Sequence, residues 1–208
     1  MKTADVIVIG GGIAGASAAA EIAAGGARVL LLEMESQPGY HATGRSAAMY
    51  EPCEGVAIVR ALTRASYPFL STPPDGFADV PLLSPRGVLM FAHGGQEGLV
   101  AEAKRNGFLE TDASFARSKL PLLKLDDAIA ILWDGEAQDI DVDALHGGRL
   151  RALRRMKGGV IVDAPVRRGT RAAGLWRLEA GNEAYEAPVV VLAAGAWSDQ
   201  VAKSCGVA

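Results

Sequence analysis

Cysteine is nearly absent. Cys53 and Cys205 are the only two in 208 residues, far apart and outside any C-x-x-C or histidine-paired spacing, so neither a disulfide framework nor a zinc site is indicated. Histidine is almost as scarce: His41, His93 and His146 are scattered and show no metal-ligand spacing. His93 and His146 are expected to be solvated or locally hydrogen-bonded. No apolar run approaches the roughly 20 residues that cross a bilayer as a helix, and Lys2 is followed directly by an apolar strand rather than by a cleavable leader. There is no basic excess either. Lys and Arg number 21 against 24 Asp and Glu, a formal charge of −3, which leaves no electrostatic footprint for nucleic acid. The one dense basic run, Arg149–Lys157, reads as the exposed side of a helix. The expectation is a cytoplasmic protein with no nucleic-acid partner and no transmembrane segment. Half the residues are hydrophobic, enough to build a core for one large domain or one and part of another.

Glycine, by contrast, is abundant, and three glycines open the most informative stretch. Residues 4–33, ADVIVIGGGIAGASAAAEIAAGGARVLLLE, read in order as strand, glycine-rich turn, helix, second strand and terminal acid. Val6–Ile9 is a short β-branched run, and Gly10, Gly12 and Gly15 follow at G-x-G-x-x-G spacing. Gly10 permits the tight turn, Gly12 leaves no Cβ between the backbone and a pyrophosphate, and Gly15 lets the helix lie against the strand. A helix starting here meets phosphates with unpaired N–H groups and the positive end of its dipole. Ala14–Ala24 favours helix, Gly25-Gly26 ends it, and Arg28–Leu32 is a buried strand. Glu33 then stands where a carboxylate accepts hydrogen bonds from ribose hydroxyls and repels a 2′-phosphate, which favours FAD or NAD over NADP.

Beyond Glu33, a loop with Pro38-Gly39 and Thr43-Gly44 as turn signals leads into Arg45–Tyr50, which reads as a second helix start. Thr43 and Ser46 can cap it, the N–H groups of Ser46 to Ala48 can face an anion, and Arg45 adds positive charge. Gly55–Leu70 reads as a helix ended by Pro68, Gly87–Ala92 as a strand, and Gln96–Asn106 and Leu122–Leu132 as helices. This middle stretch lacks the strand–helix–strand rhythm of the start and is taken as an inserted smaller layer. Asp141–Met156 is a helix with acids first and bases last, as the macrodipole prefers. Val160–Val162 is a buried strand, and Leu175–Leu178 with Ala184–Ala187 suits a hairpin around Gly181-Asn182. Val189–Leu192 is the last strand, running into the small residues of Ala193–Trp197, where backbone or ligand can approach closely. Ser198–Val207 reads as the opening of a helix without a packing partner.

The separated segments ADVIVIGGGIAGASAA, QPGYHATGRSAA, PLLSPRG, DIDVDALHGGRLRALRR and VVVLAAGAWSD together resemble the FAD-dependent D-amino acid oxidase/dehydrogenase superfamily. Within it the chain looks most like the D-arginine dehydrogenase branch, over essentially its whole length. The resemblance implies an α/β fold: a Rossmann-like, GR2-type FAD-binding domain from residues 1–80 and 139–208, with part of an inserted α+β substrate domain at 81–138. It implies FAD as cofactor. Gly10, Gly12, Ile13, Ala14 and Gly15 match the pyrophosphate loop, Glu33 the ribose-binding acid and Met34 its adenine-side neighbour. Thr43, Gly44, Arg45, Ser46, Ala47 and Ala48 match a second FAD-contacting loop, Val166 a backbone grip on adenine, and Gly195 the strand end against the flavin, with Trp197 just beyond.

The chemistry so implied is hydride removal from the α-carbon of a D-amino acid or related amine to flavin N5, giving an imino acid that hydrolyses to a 2-oxo acid and ammonia. Such a site needs no nucleophile and no metal, and the match assigns no catalytic residue in this chain. On the substrate side the chain departs from the D-arginine branch, whose His, Thr and Tyr read here as Met49, Glu51 and Glu54, and whose acid after the SPR segment reads as Val88. Glu51 and Glu54 are expected to be solvated loop carboxylates, the alternative being that one faces a basic amine. Family members continue well beyond this point, where they supply the carboxylate-binding arginine. The expectation is therefore the N-terminal portion of a longer oxidoreductase, or a truncated non-catalytic FAD-binding remnant with exposed edges prone to aggregation. A nicotinamide dehydrogenase using the first motif alone leaves the TGRSAA loop and the VVVLAAGAW strand unexplained.

Overall fold

Val6–Ile9 and Val29–Leu32 carry no charge and no turn residue, the composition of strands buried on both faces of a parallel sheet, and they pair in parallel with Val6 opposite Val29 and Ile9 opposite Leu32. In the computed structural model, which describes residues 1–207, the elements in chain order are β1 (Lys2–Thr3), β2 (Val6–Ile9), α1 (Ile13–Ala24), β3 (Val29–Leu32), β4 (Met49–Tyr50), α2 (Ala57–Ser71), β5 (Leu83–Pro85), β6 (Val88–Ala92), α3 (Glu97–Asn106) and β7 (Leu109–Glu110). There follow α4 (Ala113–Lys119), β8 (Ala130–Asp134), β9 (Gln138–Ile140), α5 (Val142–Arg155), β10 (Gly159–Ile161), β11 (Val166–Ala172), β12 (Leu175–Ala180), β13 (Glu183–Ala187), β14 (Val189–Leu192) and α6 (Ser198–Ser204). Short 3₁₀ turns occupy Thr43–Arg45 and Gly195–Trp197.

The chain folds as two compact units. One comprises Met1–Ser46, Asp75–Val80 and the segment from Val142 onward; the other comprises Ala47–Pro74 and Pro81–Asp141. The division differs from the expected boundary near residue 80, because residues 47–74 go with the second unit and only Asp75–Val80 return to the first. That return is anchored by the basic run of α5. Arg151 donates to the Phe77 carbonyl (2.7 Å) and Arg155 to the Gly76 carbonyl (2.8 Å), while the buried Phe77 ring occupies the space where Gly148 has no Cβ. Arg149 reaches Glu21 of α1 at 2.5 Å. The run read as a solvated face is therefore partly a structural clamp.

The first unit is built in three layers. Its parallel sheet has the order β10-β3-β2-β14. Side chains alternate across it: Val8, Val29 and Leu31 meet Ala19, Ala20 and Ala23 of α1 and Leu153 of α5, whereas Ile7, Ile9 and Leu32 meet Leu178, Ala180, Tyr185 and Ala187. Those last residues belong to an antiparallel sheet, β1-β13-β12-β11, which closes the second face. The expected hairpin is present, longer than read, with Gly181 at positive φ (56°) in its turn. β11 was not expected. Its sequence, VRRGTRA, has no apolar alternation, and only Gly169 is buried, at the point where Cys205 and Leu178 leave no room for a Cβ.

The second unit carries two antiparallel sheets, β4-β9-β5 and β6-β8-β7. Two readings need correction there. Residues 122–132 form no helix: Leu122 is 95 % exposed and Ala130–Asp134 is a strand paired on both sides, with β6 and β7. The helical spacing of Leu122, Leu125, Ile129 and Leu132 is outweighed by the pairing of Ala130–Asp134, which carries Ile131 and Trp133, with a strand on each side. Pro68 does not end α2 but lies within its last turn. Cys53, Ala103, Phe108 and Leu132 form a small buried cluster, and burial, reinforced by the neighbouring Asp134, pushes the Cys53 thiol up to about 11.

Two outcomes follow from this packing. Leu153→Ala empties a fully buried site between α5 and the sheet, and its urea-unfolding midpoint is expected to report a loss of about 2–5 kcal/mol. At pH 8 only about one Cys53 thiol in a thousand is ionised, so a thiol-reactive dye should leave it unlabelled in the native chain and modify it after denaturation. Rapid native labelling at Cys53 contradicts its place in the core.

Candidate functional site

The order of the parallel sheet reverses at β2: β3 and β10 lie to one side of it, β14 to the other. In open α/β sheets the crevice outside the carboxyl ends of the strands at such a reversal is the ligand site. A cavity of about 710 Å³ lies there, entirely within the first unit, lined among others by Ile9, Gly10, Leu32, Glu33 and the segment Ala193–Trp197. Its volume is that of ordinary small-molecule and cofactor sites. Strand contact at the reversal is close: Gly10 N–H donates to the Leu32 carbonyl and Ala193 N–H to the Ile9 carbonyl, both at 2.8 Å. A Cβ on Gly10 would overlap the Ala193 carbonyl, and one on Gly15 would overlap the Gly10 carbonyl. Gly10 also has φ of 106°, a conformation glycine adopts without strain.

Helix α1 begins at the cavity. Ala16 N–H is bonded to the Gly12 carbonyl (2.9 Å), so the N–H groups before it have no acceptor within the helix. One is taken in trans, since Ile13 N–H donates to Thr43 Oγ1 (2.9 Å). Gly12 and Ala14 line the cavity, and a Cβ on Gly12 would meet only that same Thr43 oxygen, at 3.1 Å. The helix start is thus open on the cavity side and favours an anion there.

Glu33, at the end of β3, is buried, and each of its carboxylate oxygens accepts one backbone hydrogen bond: Gly11 N–H at 2.7 Å and Glu35 N–H at 2.9 Å. A carboxylate accepts about four hydrogen bonds, which leaves lone pairs for a ligand hydroxyl. The Gly11 carbonyl accepts from Nε2–H of His146, a buried residue of α5, at 2.8 Å. His146 also fills the space beside Gly39, where a Cβ would stand 2.8 Å from its ring. It is neither solvated nor locally bonded, as its isolation in the sequence suggested, but pins the glycine loop from far along the chain.

Of the expected residues, the fold brings Gly10, Gly12, Ile13, Ala14, Glu33, Met34, Thr43, Arg45, Val166 and Gly195 together around the cavity. Gly15 is buried beneath them as a packing contact, and Gly44 closes the loop on itself through its N–H to the Gly39 carbonyl (2.7 Å). No helix begins at Ser46. Ser46 is extended, and Ala47 and Ala48 belong to the second unit, where the Ala48 carbonyl accepts Ile140 N–H (2.9 Å). The helix-type anion cradle expected at Ser46–Ala48 is therefore not formed, because residues 49–50 pair as a strand with β9. Glu51 is half-buried and Glu54 exposed, and burial together with the charges of Glu54 and Asp134 holds the Glu51 carboxyl above the usual range. The sequence reading missed Tyr40, His41, Gln200 and Ser204 as lining residues. Their only signal was proximity to the loop and to the strand end, since none belongs to a spaced motif. Gly11, whose missing Cβ makes room for Glu33, was also missed.

Comparison with known proteins agrees with this geometry. A family model described as FAD dependent oxidoreductase matches residues 5–207. Among solved structures, the chain is similar to L-α-glycerophosphate oxidase from Mycoplasma pneumoniae with FAD bound (16 % identity, TM-score 0.83, covering 99 % of this chain and 58 % of that one). It is similar to glycine oxidase from Geobacillus kaustophilus (19 %, 0.83, 100 % and 60 %) and to L-proline dehydrogenase from P. horikoshii (17 %, 0.82, 99 % and 56 %). At these identities the likeness is one of fold, and the chain spans less than two thirds of each relative. The residues present fit FAD: an open helix start for a diphosphate, a buried carboxylate with spare lone pairs for a ribose, and apolar walls from Ile9, Leu32 and Val166.

His146→Ala leaves the Gly11 carbonyl without its donor and opens the space beside Gly39. Thermal melts should report a loss of about 1–3 kcal/mol, together with weaker dinucleotide retention. An unchanged melting point would mean that the loop does not depend on this bond.

Proposed function

The chain belongs to the FAD dependent oxidoreductase family, and on that premise we propose that it forms the cofactor-holding part of an enzyme that oxidises an amine or amino acid, with D-amino acids the first class. The observation that carries this reading is the cavity at the strand reversal, in which the α1 start, Glu33 and the Gly195 turn converge. Gly10, Gly12, Ile13 and Ala14 would hold the diphosphate, with Gly15 keeping α1 close behind them. Glu33, Met34 and Val166 would hold the adenosine end, Thr43 and Arg45 the second loop, and Gly195 the flavin end.

Bound there, FAD supplies the two-electron acceptor for a hydride leaving the carbon that bears the amine. The chain itself binds, orients and excludes water. Thr43 fixes the first turn of α1 through Ile13 N–H, and the side chains of Ile9, Leu32 and Val166 replace solvent along the walls. The solved relatives are named for glycerophosphate, glycine and L-proline, donors that share a carbon bearing hydroxyl or amine. The choice of D-amino acids rests instead on the resemblance of the chain, through its separated segments taken together, to the D-arginine dehydrogenase branch.

The visible spectrum of the purified chain tests this. Flavin bands near one per chain that bleach anaerobically with a D-amino acid, D-arginine first, are expected of the enzyme. Bands that bleach only with L-amino acids would sink the stereochemical assignment, and bands that never bleach would mean cofactor binding without turnover. A colourless chain that binds NAD would remove the flavin reading altogether.

A further inference from the structure

The sheet β6-β8-β7 of the second unit is packed differently on its two faces. Val88, Met90 and Leu132 point to one side, where Val100 and Ala103 of α3 and the following Phe108 complete a buried cluster. By register the other side carries Leu89 and Leu109 flanking Trp133, with Phe91 opposite Ile131 in the next row. Helix α4 meets this side through Phe115, edge-on to Trp133 with ring centroids 5.3 Å apart, yet Leu109 stays 69 % exposed and Phe91 39 %. From the end of α4 the chain enters a turn in which Leu123 N–H donates to the Leu120 carbonyl (3.1 Å) and Pro121 restricts the backbone. This turn projects Leu122 almost wholly into solvent and leaves Leu120 half exposed. Scattered apolar residues on a surface need no explanation, but several along one sheet face, ending in a projecting turn, mark an interaction site.

The charges around the turn indicate what it meets. Lys119 and Lys124 bracket the two leucines, and neither has an ion-pair partner among the described residues. Lys119 Nζ lies 5.4 Å from the Phe115 ring and 5.7 Å from that of Trp133, which places its charge on the same face as the exposed apolar residues. The neighbouring acids, in contrast, are engaged. Asp126 pairs with Arg117 (3.7 Å) and Asp127 with His93 (3.2 Å), while Asp112 accepts the Phe115 N–H (2.8 Å) at the start of α4. Leucines that lack an apolar partner, rimmed by lysines that lack an anionic one, match the boundary of an anionic bilayer, where acyl chains lie beneath a layer of phosphates. The flexible lysine stems let the ammonium groups stay at headgroup level while the leucines go deeper. A second copy of the chain is a poorer match, because a two-fold axis through this face would set lysine against lysine. No helix among the described residues is long and apolar enough to cross a membrane, so such a contact is peripheral.

We propose that the Leu120–Lys124 turn and the adjoining sheet face dock this chain reversibly on an anionic phospholipid surface, with Leu120 and Leu122 entering the acyl boundary and Lys119 and Lys124 meeting headgroup phosphates. The test is flotation of the purified chain with phosphatidylcholine vesicles, with and without phosphatidylglycerol, at low and high salt. Sedimentation velocity and thermal melts of the same samples without lipid accompany it. The chain should float with the phosphatidylglycerol vesicles, and less so without that lipid or at high salt. Replacing both Leu120→Ser and Leu122→Ser should weaken binding about tenfold or more, and Lys124→Gln about fivefold, with melting points unchanged because these side chains lie in solvent. In Leu122→Trp the added indole emission should shift to the blue on phosphatidylglycerol vesicles and be quenched by lipids brominated in the acyl chain, which adhesion by charge alone would not produce. Absence of flotation with phosphatidylglycerol vesicles overturns the proposal, as does undiminished flotation of the double serine variant. A lowered melting point in that variant overturns it too, by giving the leucines a structural role. A lipid-free dimer that the same two substitutions abolish would assign the face to a second copy of the chain instead.

Discussion

Backbone meets backbone at Gly10 and Gly15 with no room for a single carbon. The absent Cβ of Gly10 is replaced by the Ala193 carbonyl, and that of Gly15 by the Gly10 carbonyl. These two approaches bring β2, β14 and α1 to contact distance at one point, and most of the first unit follows from them. With β14 against one edge of β2 and β3 against the other, the sheet order reverses at β2, and the crevice left at the reversal is the cavity. The alanines of α1 act in the same sense. Ala19, Ala20 and Ala23 are buried against Val8 and Leu31, and bulkier residues there would lift the helix and its open N–H groups away from the strand end.

Glu33 extends this constraint into the loop. A buried carboxylate is costly unless hydrogen-bonded, and here its donors are the backbone of Gly11 and Glu35, next in sequence to the cavity-lining Gly12 and Met34. The same bonds that make the charge tolerable therefore order the site before a ligand arrives. Gly11 is held from both sides, its N–H by Glu33 and its carbonyl by His146. The three successive glycines serve different ends: close strand contact at Gly10, clearance for a carboxylate at Gly11 and an open face at Gly12.

What was legible in the sequence is what is dictated locally. Val6–Ile9, Ala14–Ala24, Arg28–Leu32 and Val189–Leu192 could be read because runs of Val, Ile and Leu and a small-residue helix leave a mark in their own composition, and the glycine spacing places them in order. What was not legible depends on partners distant in the chain. Arg167 and Arg168 enter a strand because β12 offers an edge, Ile131 and Trp133 because β6 and β7 do, and Met49 because β9 does. His146 carried no signal, since its partner, a glycine carbonyl, has no side chain to match. Spacing alone finds no metal-ligand pattern at His41 and is blind to a carboxylate six residues back and an indole at the far end of the chain.

Residues whose identity is forced by geometry are concentrated in the first unit: Gly10, Gly11, Gly15 and Gly148 by overlap, Glu33 and Thr43 by hydrogen bonds to the turn and to α1. The positions that depart from the D-arginine pattern, Met49, Glu51, Glu54 and Val88, all fall in the second. There, short antiparallel strands tolerate change provided that alternation and edge pairing are kept. A chain built this way can vary residues of its second unit without loosening the contacts that shape the cavity of the first. Solved relatives at 16–19 % identity nonetheless superpose with TM-scores of 0.82–0.83, as expected if a small set of steric and hydrogen-bonding requirements, rather than the bulk of the sequence, maintains the fold.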